Sequence, residues 1–412
     1  MFYKAIVIGA GPSGLFTAYN LSEYGISTLV LEKNTQLGRK LLVSGSGQCN
    51  FTNASNLEEF KDKYGDNFNF IKHALNVFTN RDSILFFKSF GVDVEVTPSG
   101  KVFPSSRRSE DILSALVNSC KINSGQIRAG INIKTIIEYD GVFQIETTDD
   151  ETFSTENLVV ATGGVSFSHL GTDGFGHRLA QQFGHKITRL RPSISNIISK
   201  EDFYADLSGL SLKNITMTIW REGKKVRDKV GDLLFTHNGL SGPIILNSSR
   251  WMEDDDMLTF NLVGRPYESI QKELESDFNL NGREHISTYL KKFNFPKSFI
   301  SALLRVLDIP HDLKCANISK DGRKKIAKHI TALPITILSV GDLNSAVVTC
   351  GGVSLKEINP TTFCSRKQRG LYFVGEVLDI DADTGGYNIQ AAMSMGYVCA
   401  QSIIRKEQIY GY

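Results

Sequence analysis

The sequence predicts an α/β protein with a discontinuous Rossmann-like nucleotide-binding domain, and three observations lead to this fold class. The apolar run Lys4–Ile8 predicts a buried parallel strand, and it continues directly into the glycine-rich segment Gly9–Gly14 and a helical pattern. A second apolar run, Ser27–Leu31, ends at an acidic residue, Glu32. A similar pattern of strand, glycine turn and helix occurs again over residues 370–405, after a long stretch with a different residue pattern.

The composition limits the possible function classes. With 412 residues and a formal net charge of +2, the chain can hold two or three domains and gives no electrostatic reason to expect nucleic acid, although such a partner stays open. The six cysteines are scattered without a CxxC pair, which favours a reducing compartment, and no metal site is predicted. No apolar run approaches about 18 residues and no leader pattern is present, so we expect a cytoplasmic protein that does not span a membrane. A small-molecule substrate and a monomer or homodimer are expected.

The segment Gly9–Gly14 has the spacing of a dinucleotide-binding turn. Gly9 permits a tight turn, Gly11 lets the backbone approach a pyrophosphate, and Gly14 lets the helix pack closely on the strand. The pyrophosphate then meets free N–H groups at the positive end of the helix dipole. Glu32 lies 18 residues beyond Gly14, where it can accept hydrogen bonds from both ribose hydroxyls and disfavour a 2′-phosphate. The predicted cofactor contacts of this region are Gly9, Gly11, Pro12, Ser13, Gly14, Glu32 and Lys33.

A second segment rich in glycine and amides extends from Gly38 to Asn53. Such residues make poor helix and poor core, but they suit a backbone that lies along a ligand. An ordinary surface loop is the alternative. The predicted cofactor contacts of this segment are Gly38, Arg39, Lys40, Ser44, Gly45 and Asn50.

The following residues predict further elements of the same domain. Residues 57–120 predict helices with apolar faces and a hairpin between them, and residues 131–147 predict two strands. The buried run Leu158–Val160 then enters the turn Ala161–Gly164. This pattern predicts a strand beside the first one, with a turn that touches the same dinucleotide. The predicted contacts of this region are Ile133, Ala161, Thr162 and Gly163.

The pattern of apolar and polar residues changes near residue 191. Residues 191–265 and 333–339 predict an inserted β-rich module, and residues 266–332 predict a small, charged helical lobe. The nucleotide-binding domain is then expected to comprise residues 1–190 and 340–412.

The C-terminal segment favours FAD over NAD. A buried strand that ends at Gly375 and Glu376 places an acid where it can bind a ribityl hydroxyl. The helix that opens after Gly385 can direct N–H groups at the N1–C2=O edge of a flavin, where negative charge gathers on reduction. A strand and helix that merely close the sheet would not explain these glycines and this acid. The predicted contacts are Gly375, Glu376, Asp379, Gly386, Tyr387, Asn388 and Ile389.

Six segments together resemble one known family over nearly the whole chain. They are Gly9–Gly14 with Glu32, Gly38–Asn53, Ala161–Gly164, Leu234–Pro243, Gly351–Glu357 and Gly375–Asn388. They are similar to the BaiN/RdsA-type FAD-dependent NAD(P) oxidoreductases. The resemblance implies a glutathione-reductase-type FAD domain interrupted by a β-barrel-like module and a small helical domain. The family usually has Arg before its Cys-Asn pair, whereas this chain has Gln48, which leaves open a difference in substrate or reactivity.

The resemblance implies an FAD-dependent oxidoreductase that transfers hydride or electrons through flavin N5 to or from a small organic substrate, with NAD(P)H as a transient co-substrate. No second GxGxxG follows residue 40, so NAD(P)H has no dedicated Rossmann unit, and a substrate-driven oxidase that uses O2 is the alternative. Cys49, as a redox or covalent residue, and His237, as an acid or base, are the candidate catalytic side chains. A packing cysteine and a backbone-bonded turn histidine are the alternatives.

A function of another class is an RNA- or ribosome-associated protein in which FAD is structural. Two basic clusters motivate this hypothesis, although a solvated protein face explains them more simply. They are Lys224, Lys225, Arg227 and Lys229 in the β-rich module, and Lys320, Arg323, Lys324, Lys325 and Lys328 in the helical lobe.

Overall fold

A computed structural model describes residues 1–122, 125–202, 205–280 and 282–410, so two residues of the predicted β-rich module and one of the predicted helical lobe lie outside the described residues. The strands are β1 (Phe2–Ile8), β2 (Thr28–Glu32), β3 (Thr52–Asn53), β4 (Val94–Val96), β5 (Lys101–Pro104), β6 (Gln126–Ala129), β7 (Ile133–Tyr139), β8 (Val142–Thr147), β9 (Thr152–Val160), β10 (Arg191–Ser193), β11 (Ile197–Ser199), β12 (Ser211–Arg221), β13 (Lys224–Thr236), β14 (Gly239–Ser241), β15 (Met257–Asn261), β16 (Leu333–Ser339), β17 (Val348–Cys350) and β18 (Leu371–Phe373).

The α-helices range from single turns to the long C-terminal helix. They are α1 (Pro12–Glu23), α2 (Arg39–Leu42), α3 (Leu57–Phe60), α4 (Phe68–Val77), α5 (Asn80–Ser89), α6 (Ser109–Ile122), α7 (Phe175–Gln182), α8 (Pro243–Leu246), α9 (Tyr267–Leu280), α10 (Ile286–Tyr289), α11 (Lys297–Val306), α12 (Lys320–Thr331) and α13 (Tyr387–Tyr410). Within the described ranges, no helix is both long enough and apolar enough to cross a membrane.

The chain separates into two compact units, residues 1–191 with 343–412, and residues 192–342. The main sheet of the first unit has the order β6-β2-β1-β9-β8-β7, and β18 also pairs with β9. β9 and β2 flank β1 in parallel, and β18 is parallel to β9. This confirms two predictions: the strand before Ala161 lies beside the first strand, and a C-terminal strand completes a sheet that begins at the N-terminus.

The sequence explains why the first unit forms these layers. The four last residues of β1 are buried, as expected for a strand that lies between two parallel neighbours inside a sheet. α1 begins with Pro12 at its first position, where the missing N–H costs nothing, and it packs against α6 and α13. The helical pattern over 57–92 forms separate helices, because Thr79 and Asp82 form a capping box that starts α5 after the extended residue Phe78.

The second unit contains a closed barrel with the order β11-β14-β13-β12-β15-β16. This confirms the β-barrel-like module. Its longest hairpin, β12–β13, turns at Glu222 and Gly223, which both have positive φ (49° and 73°), as a tight hairpin turn requires. Met217 and Ile219 of β12 are fully buried and belong to one hydrophobic core that also includes residues of helices α9, α11 and α12.

Candidate functional site

The carboxyl ends of the parallel strands β2, β1, β9 and β18 lie at the same edge of the sheet, where α/β proteins bind their ligands. The turns after these strands approach closely. A Cβ added at Gly9, whose φ is +105°, would lie 2.5 Å from the carbonyl oxygen of Ala161. One added at Gly375 would lie 2.6 Å from Oγ of Ser13, at the start of α1. Three predicted cofactor-binding segments therefore meet at the N-terminus of α1.

Gly11 and Gly14 differ in what requires them. A Cβ at Gly14 would lie 2.0 Å from the carbonyl oxygen of Gly9, which confirms that Gly14 allows the close packing of helix and strand. A Cβ at Gly11 would meet no atom of the described residues within 4 Å, and its φ of −85° is open to any residue. Neither packing nor backbone conformation therefore needs glycine at position 11. A pyrophosphate that lies against the backbone explains it, so this turn fits a dinucleotide.

Glu32, the last residue of β2, is held by the turn that it faces. Its Oε2 accepts a hydrogen bond from the Ala10 N–H at 2.9 Å, and its Oε1 accepts from the N–H and Nδ2 of Asn34 at 2.9 and 2.8 Å. A carboxylate has about four acceptor positions, and three of them are occupied, so Oε2 keeps capacity for a ribose hydroxyl. The neighbouring Lys33 forms an ion pair with Asp173 at 2.8 Å.

Lys40 and Glu376 were both predicted as cofactor contacts, and the structure pairs them with each other. Nζ of Lys40 lies 2.9 and 2.8 Å from the two carboxylate oxygens of Glu376 and donates to Oγ of Ser166 at 2.6 Å. The Thr349 N–H donates to Oε1 of Glu376 at 2.8 Å. Sequence reasoning missed Ser166 and Thr349, although each lies near a glycine turn that it had identified. The result is an oriented, partly buried ion pair at the end of β18.

The loop after α2 is stabilised by its own side chains. Gly38 and Gly45 have positive φ (61° and 56°), which favours glycine at both positions. Nδ2 of Asn50 donates to two backbone carbonyls, and Oγ of Ser44 donates to a third. The Arg39 guanidinium donates to Asn34 and to the carbonyl of His169 at 3.3 Å. Contacts of these residues with a cofactor stay predictions.

The Cys49 thiol is not accessible to solvent. Its side chain is fully buried, and burial raises the pKa of the thiol to about 12. A cysteine nucleophile or redox residue needs an accessible thiolate. The burial of Cys49 favours the packing alternative, and its catalytic role stays a prediction.

The Gln48 side chain contacts a positively charged residue. Nη1 of Arg107 donates to Oε1 of Gln48 at 3.2 Å, and the same guanidinium forms a salt bridge with Glu95 at 2.7 Å. It also lies 4.1 Å from the ring centroid of Phe103. The Arg107 guanidinium therefore contacts Gln48, the position at which this chain differs from the family that it resembles.

The start of α13 packs tightly against the glycine-rich loop. A Cβ at Gly386, whose φ is +94°, would lie 2.4 Å from the carbonyl oxygen of Thr52. The Asn388 side chain donates to and accepts from the backbone of Ala382 at 2.9 and 2.8 Å, so it clamps the preceding loop. The Tyr387 ring is buried against Phe60, with 4.8 Å between ring centroids.

The remaining predicted contacts have varied surroundings. The Thr188 hydroxyl donates to Asp379 at 2.9 Å, and burial raises the pKa of the Asp379 carboxyl. The Thr162 hydroxyl is buried and faces α7, because a Cβ at Gly176 would lie 2.0 Å from it. Ile133, at the start of β7, and Ile389, in the first turn of α13, are partly buried. Gly163 has a φ of +75° and directly follows Thr162.

His237 lies in the second unit, exposed in the turn between β13 and β14. Its role as an acid or base stays a prediction. As far as the structure describes the chain, no three His, Cys, Asp or Glu residues are grouped so that they could hold a metal ion.

Comparison with known proteins identifies the family. The family model described as "HI0933-like protein Rossmann domain" matches residues 3–402 of the chain. The chain belongs to this family. This confirms the resemblance found in the sequence, and the protein is an FAD-dependent oxidoreductase with a Rossmann-type FAD domain.

Three characterised relatives span nearly all of the chain. The chain is 34% identical to the ribosomal RNA dihydrouridine synthase of Haemophilus influenzae, over 98% of this chain and 99% of that protein. It is 30% identical to the ribosomal RNA dihydrouridine synthase of Escherichia coli, over 98% of each. It is 25% identical to the 3-dehydro-bile acid delta(4,6)-reductase of Clostridium scindens, over 96% of this chain and 98% of that protein.

Proposed function

We propose that this protein uses FAD to reduce the C5–C6 double bond of a uracil base in ribosomal RNA, with NAD(P)H as electron donor. The observation that supports this most is the similarity to two rRNA dihydrouridine synthases, at 34% and 30% identity over 98% of the chain. The matched length includes the barrel and its helices as well as the FAD domain. A similarity that came only from a shared nucleotide-binding fold would not have to extend over the barrel and its helices.

The reaction adds a hydride to C6 and a proton to C5 of the uracil ring. Uridine, NAD(P)H and one proton give dihydrouridine and NAD(P)+, so atoms and electrons balance. The double bond is conjugated with the C4 carbonyl, which makes C6 the electrophilic position. When bound, FAD supplies hydride transfer at its N5 atom.

The residues of the chain hold and orient the cofactor in this proposal. The first N–H groups of α1 bind the pyrophosphate beside Gly11, and Glu32 accepts hydrogen bonds from the adenosine ribose. Glu376, oriented by Lys40, binds a ribityl hydroxyl. The N-terminus of α13, after Gly386, stabilises negative charge on the reduced flavin. Release of FAD, rather than FMN or NAD, from the acid-denatured protein tests the first two assignments, and FMN alone would contradict them.

The proton at C5 requires a donor. Cys49 does not suit this role, because its thiol is buried and has a pKa of about 12. We retain His237 as the candidate donor, because the residue is exposed and an imidazole can act as a general acid. A His237→Gln variant is expected to lose about a hundredfold in turnover while its flavin is still reduced at the normal rate. Unchanged turnover would exclude His237.

NAD(P)H is proposed to bind weakly and without strong preference between NADH and NADPH. Glu32 serves the adenosine ribose of FAD, so it cannot also select the donor, and no second GxGxxG provides a cradle for a 2′-phosphate. We expect half-saturation near about 0.1 mM or above in anaerobic stopped-flow reduction with each donor. Saturation at low micromolar concentration, or a hundredfold preference, would show a dedicated nicotinamide site. Failure of both donors would favour the substrate-driven oxidase.

A second candidate is the reduction of a small unsaturated ketone. The bile-acid reductase relative, at 25% identity over 96% of the chain, favours it. The chemistry is closely related, because both reactions saturate a carbon–carbon double bond conjugated with a carbonyl.

One assay separates the two candidates. Holoenzyme and NADPH are incubated with unmodified rRNA or with a steroid dienone, and the products are analysed by mass spectrometry. We expect dihydrouridine in the rRNA and little steroid product. Steroid reduction without any dihydrouridine would contradict the proposed function and support the second candidate.

A further inference from the structure

Three bulky apolar residues in the described part of the chain have positive φ: Phe167 (55°), Ile194 (52°) and Phe363 (58°). This left-handed conformation is strained for such residues, because their Cβ crowds the backbone. Ile194 and Phe363 are buried, with 5% and 0% exposure, so burial of the side chain offsets the strain. Phe167 is partly exposed, and it lies outside the described hydrophobic cores of the two units and the residues that pack against them. Core packing therefore does not explain an aromatic residue at position 167.

The backbone of Phe167 is held in this conformation by hydrogen bonds on both sides. Its N–H donates to the carbonyl of Leu343 at 3.1 Å, and its own carbonyl accepts from the Leu170 N–H at 2.8 Å. The preceding N–H, of Ser166, donates to the hydroxyl of Thr349 at 3.0 Å. The surrounding structure thus fixes a strained conformation, and such positions cluster at active sites and ligand-binding sites.

The segment that carries Phe167 lies at the proposed cofactor site. The neighbouring Ser166 is buried, its Oγ accepts from the Lys40 ammonium at 2.6 Å, and the same Oγ lies 3.2 Å from Oε1 of Glu376. Glu376 is the proposed ligand of the ribityl chain of FAD. Phe167 therefore comes one residue after a member of the flavin-binding network, in the region that the proposed substrate must reach.

The Phe167 ring has one aromatic neighbour among the described residues, the imidazole of His169. The ring centroids are 5.7 Å apart and the ring planes make an angle of 89°, so the two rings meet edge to face. His169 is exposed, and its carbonyl accepts from the Arg39 guanidinium at 3.3 Å. An edge-to-face contact covers at most one face of a ring, which leaves ring surface for a planar ligand.

A planar ligand is what the proposed reaction brings to this site. A uracil inside folded RNA is stacked on its neighbours, and enzymes that react with a base extrude it and hold it against aromatic or apolar side chains. We propose that Phe167 and His169 bind the extruded uracil, which stacks on the Phe167 ring while the imidazole forms a hydrogen bond with its polar edge. This inference rests on the proposed rRNA substrate. The nicotinamide of NAD(P)H is the other planar ring that must reach the flavin, and measurements with each ligand separate the two.

Substitutions at position 167 test the aromatic face. Phe167→Leu removes this face but keeps a large apolar side chain, whereas Phe167→Tyr keeps the face. We expect Phe167→Leu to lower kcat/KM for rRNA about tenfold, within the range of one base–aromatic stack, and Phe167→Tyr to stay within about twofold of wild type. The matched control is Tyr139→Leu, which removes a ring that is 77% exposed at the end of β7 and should leave kcat/KM unchanged. No loss in Phe167→Leu, or the same loss in Phe167→Tyr, would overturn the inference.

The stability of two glycine variants shows whether packing explains Phe167. Phe167→Gly removes the ring but relieves the backbone strain, because glycine adopts positive φ readily. We expect the Tm of the apoprotein to stay within about 2 °C of wild type or to rise, while kcat/KM of the holoenzyme for rRNA falls about tenfold. Phe363→Gly relieves the same strain but deletes a fully buried ring, so its Tm is expected to fall by about 5 °C or more. A fall of that size in Phe167→Gly would show that packing explains Phe167 and would overturn the inference.

A fluorescence readout identifies the ligand without turnover. The chain has two tryptophans, so Phe167→Trp combined with Trp220→Phe and Trp251→Phe leaves a single indole, at position 167. In full-length holoenzyme, we expect unmodified rRNA to quench the emission of this indole, because a base stacks on it, and NADP+ to leave the emission unchanged. Quenching by NADP+, or no change with rRNA, would overturn the inference.

Turnover on rRNA separates this inference from the proposed function. If wild-type enzyme forms dihydrouridine and Phe167→Leu does so with an unchanged kcat/KM, only the base-binding role of Phe167 fails. If wild-type enzyme forms no dihydrouridine at all, the proposed function fails, and the inference that rests on it fails with it.

Discussion

The two glycine-rich ends of the proposed FAD site, Gly9–Gly14 and Gly375–Asn388, use glycine for different reasons. At the C-terminal end, a Cβ at Gly375 or Gly386 would lie 2.6 Å or 2.4 Å from protein atoms, so the fold itself requires these glycines. At the N-terminal end this is true of Gly9 and Gly14 but not of Gly11. A glycine that neither packing nor φ requires is therefore the stronger sign of a ligand.

The largest expected effect comes from Gly14→Ala. The added methyl would lie 2.0 Å from the Gly9 carbonyl oxygen, and neither backbone can move without separating α1 from β1. We expect the apoprotein to lose about 3 kcal/mol or more of unfolding free energy, or not to fold. Urea unfolding measures this. A loss of less than about 1 kcal/mol would show that the turn relaxes more readily than the packing implies.

Gly11→Ala is the matched substitution in the same turn, and it should separate binding from folding. We expect apoprotein stability within about 1 kcal/mol of wild type, because the site has room for a methyl and a φ that alanine accepts. FAD affinity is expected to fall at least about tenfold, because the methyl occupies the position of the pyrophosphate. Flavin content after purification and titration with FAD measure this. Full FAD occupancy would mean that Gly11 is only a turn residue.

Substitutions in the Lys40–Glu376 ion pair test whether the segment Gly375–Asn388 also has a role beyond packing. Lys40→Met and Glu376→Gln, alone and together, form a double-mutant cycle on unfolding of the apoprotein. We expect a coupling of about 1 kcal/mol, because the pair is partly buried and bonded also to Ser166. Glu376→Gln should further weaken FAD binding if the carboxylate binds the ribityl chain. Equal FAD affinity in all four proteins would restrict the pair to a structural role.

The smallest effect is expected for Cys49→Ala. A buried packing thiol can be removed at a cost of about 1 kcal/mol in stability, with turnover within about twofold of wild type. A thiol with a pKa of about 12 should also react slowly with iodoacetamide at neutral pH. Loss of turnover with intact FAD binding would restore the catalytic hypothesis.

The local parts of this site were predictable from the sequence. The Gly9–Gly14 turn, Glu32 and the strand before Ala161 follow from short-range patterns, and the structure brings them together at one sheet edge. The pairing of Lys40 with Glu376 was not predictable, because it joins residues 336 positions apart and no local pattern encodes it. The closed barrel also depends on non-local pairing, as between β11 and β16.

Side-chain assignments were less predictable for a related reason. Asn50 and Asn388 have the residue type expected near a flavin, yet their amides are bonded to the protein backbone. Cys49 follows a polar, glycine-rich run, but it is fully buried.

The most direct test of the central claim is a single-turnover experiment under anaerobic conditions. Holoenzyme is first reduced with NADPH until its yellow colour is lost, and excess NADPH is removed. The protein is then mixed with rRNA that lacks dihydrouridine or, as a control, with the same rRNA after complete modification. We expect the oxidised flavin spectrum to return only with the unmodified rRNA, with one dihydrouridine formed per flavin oxidised. A flavin that stays reduced in the presence of unmodified rRNA would contradict the account.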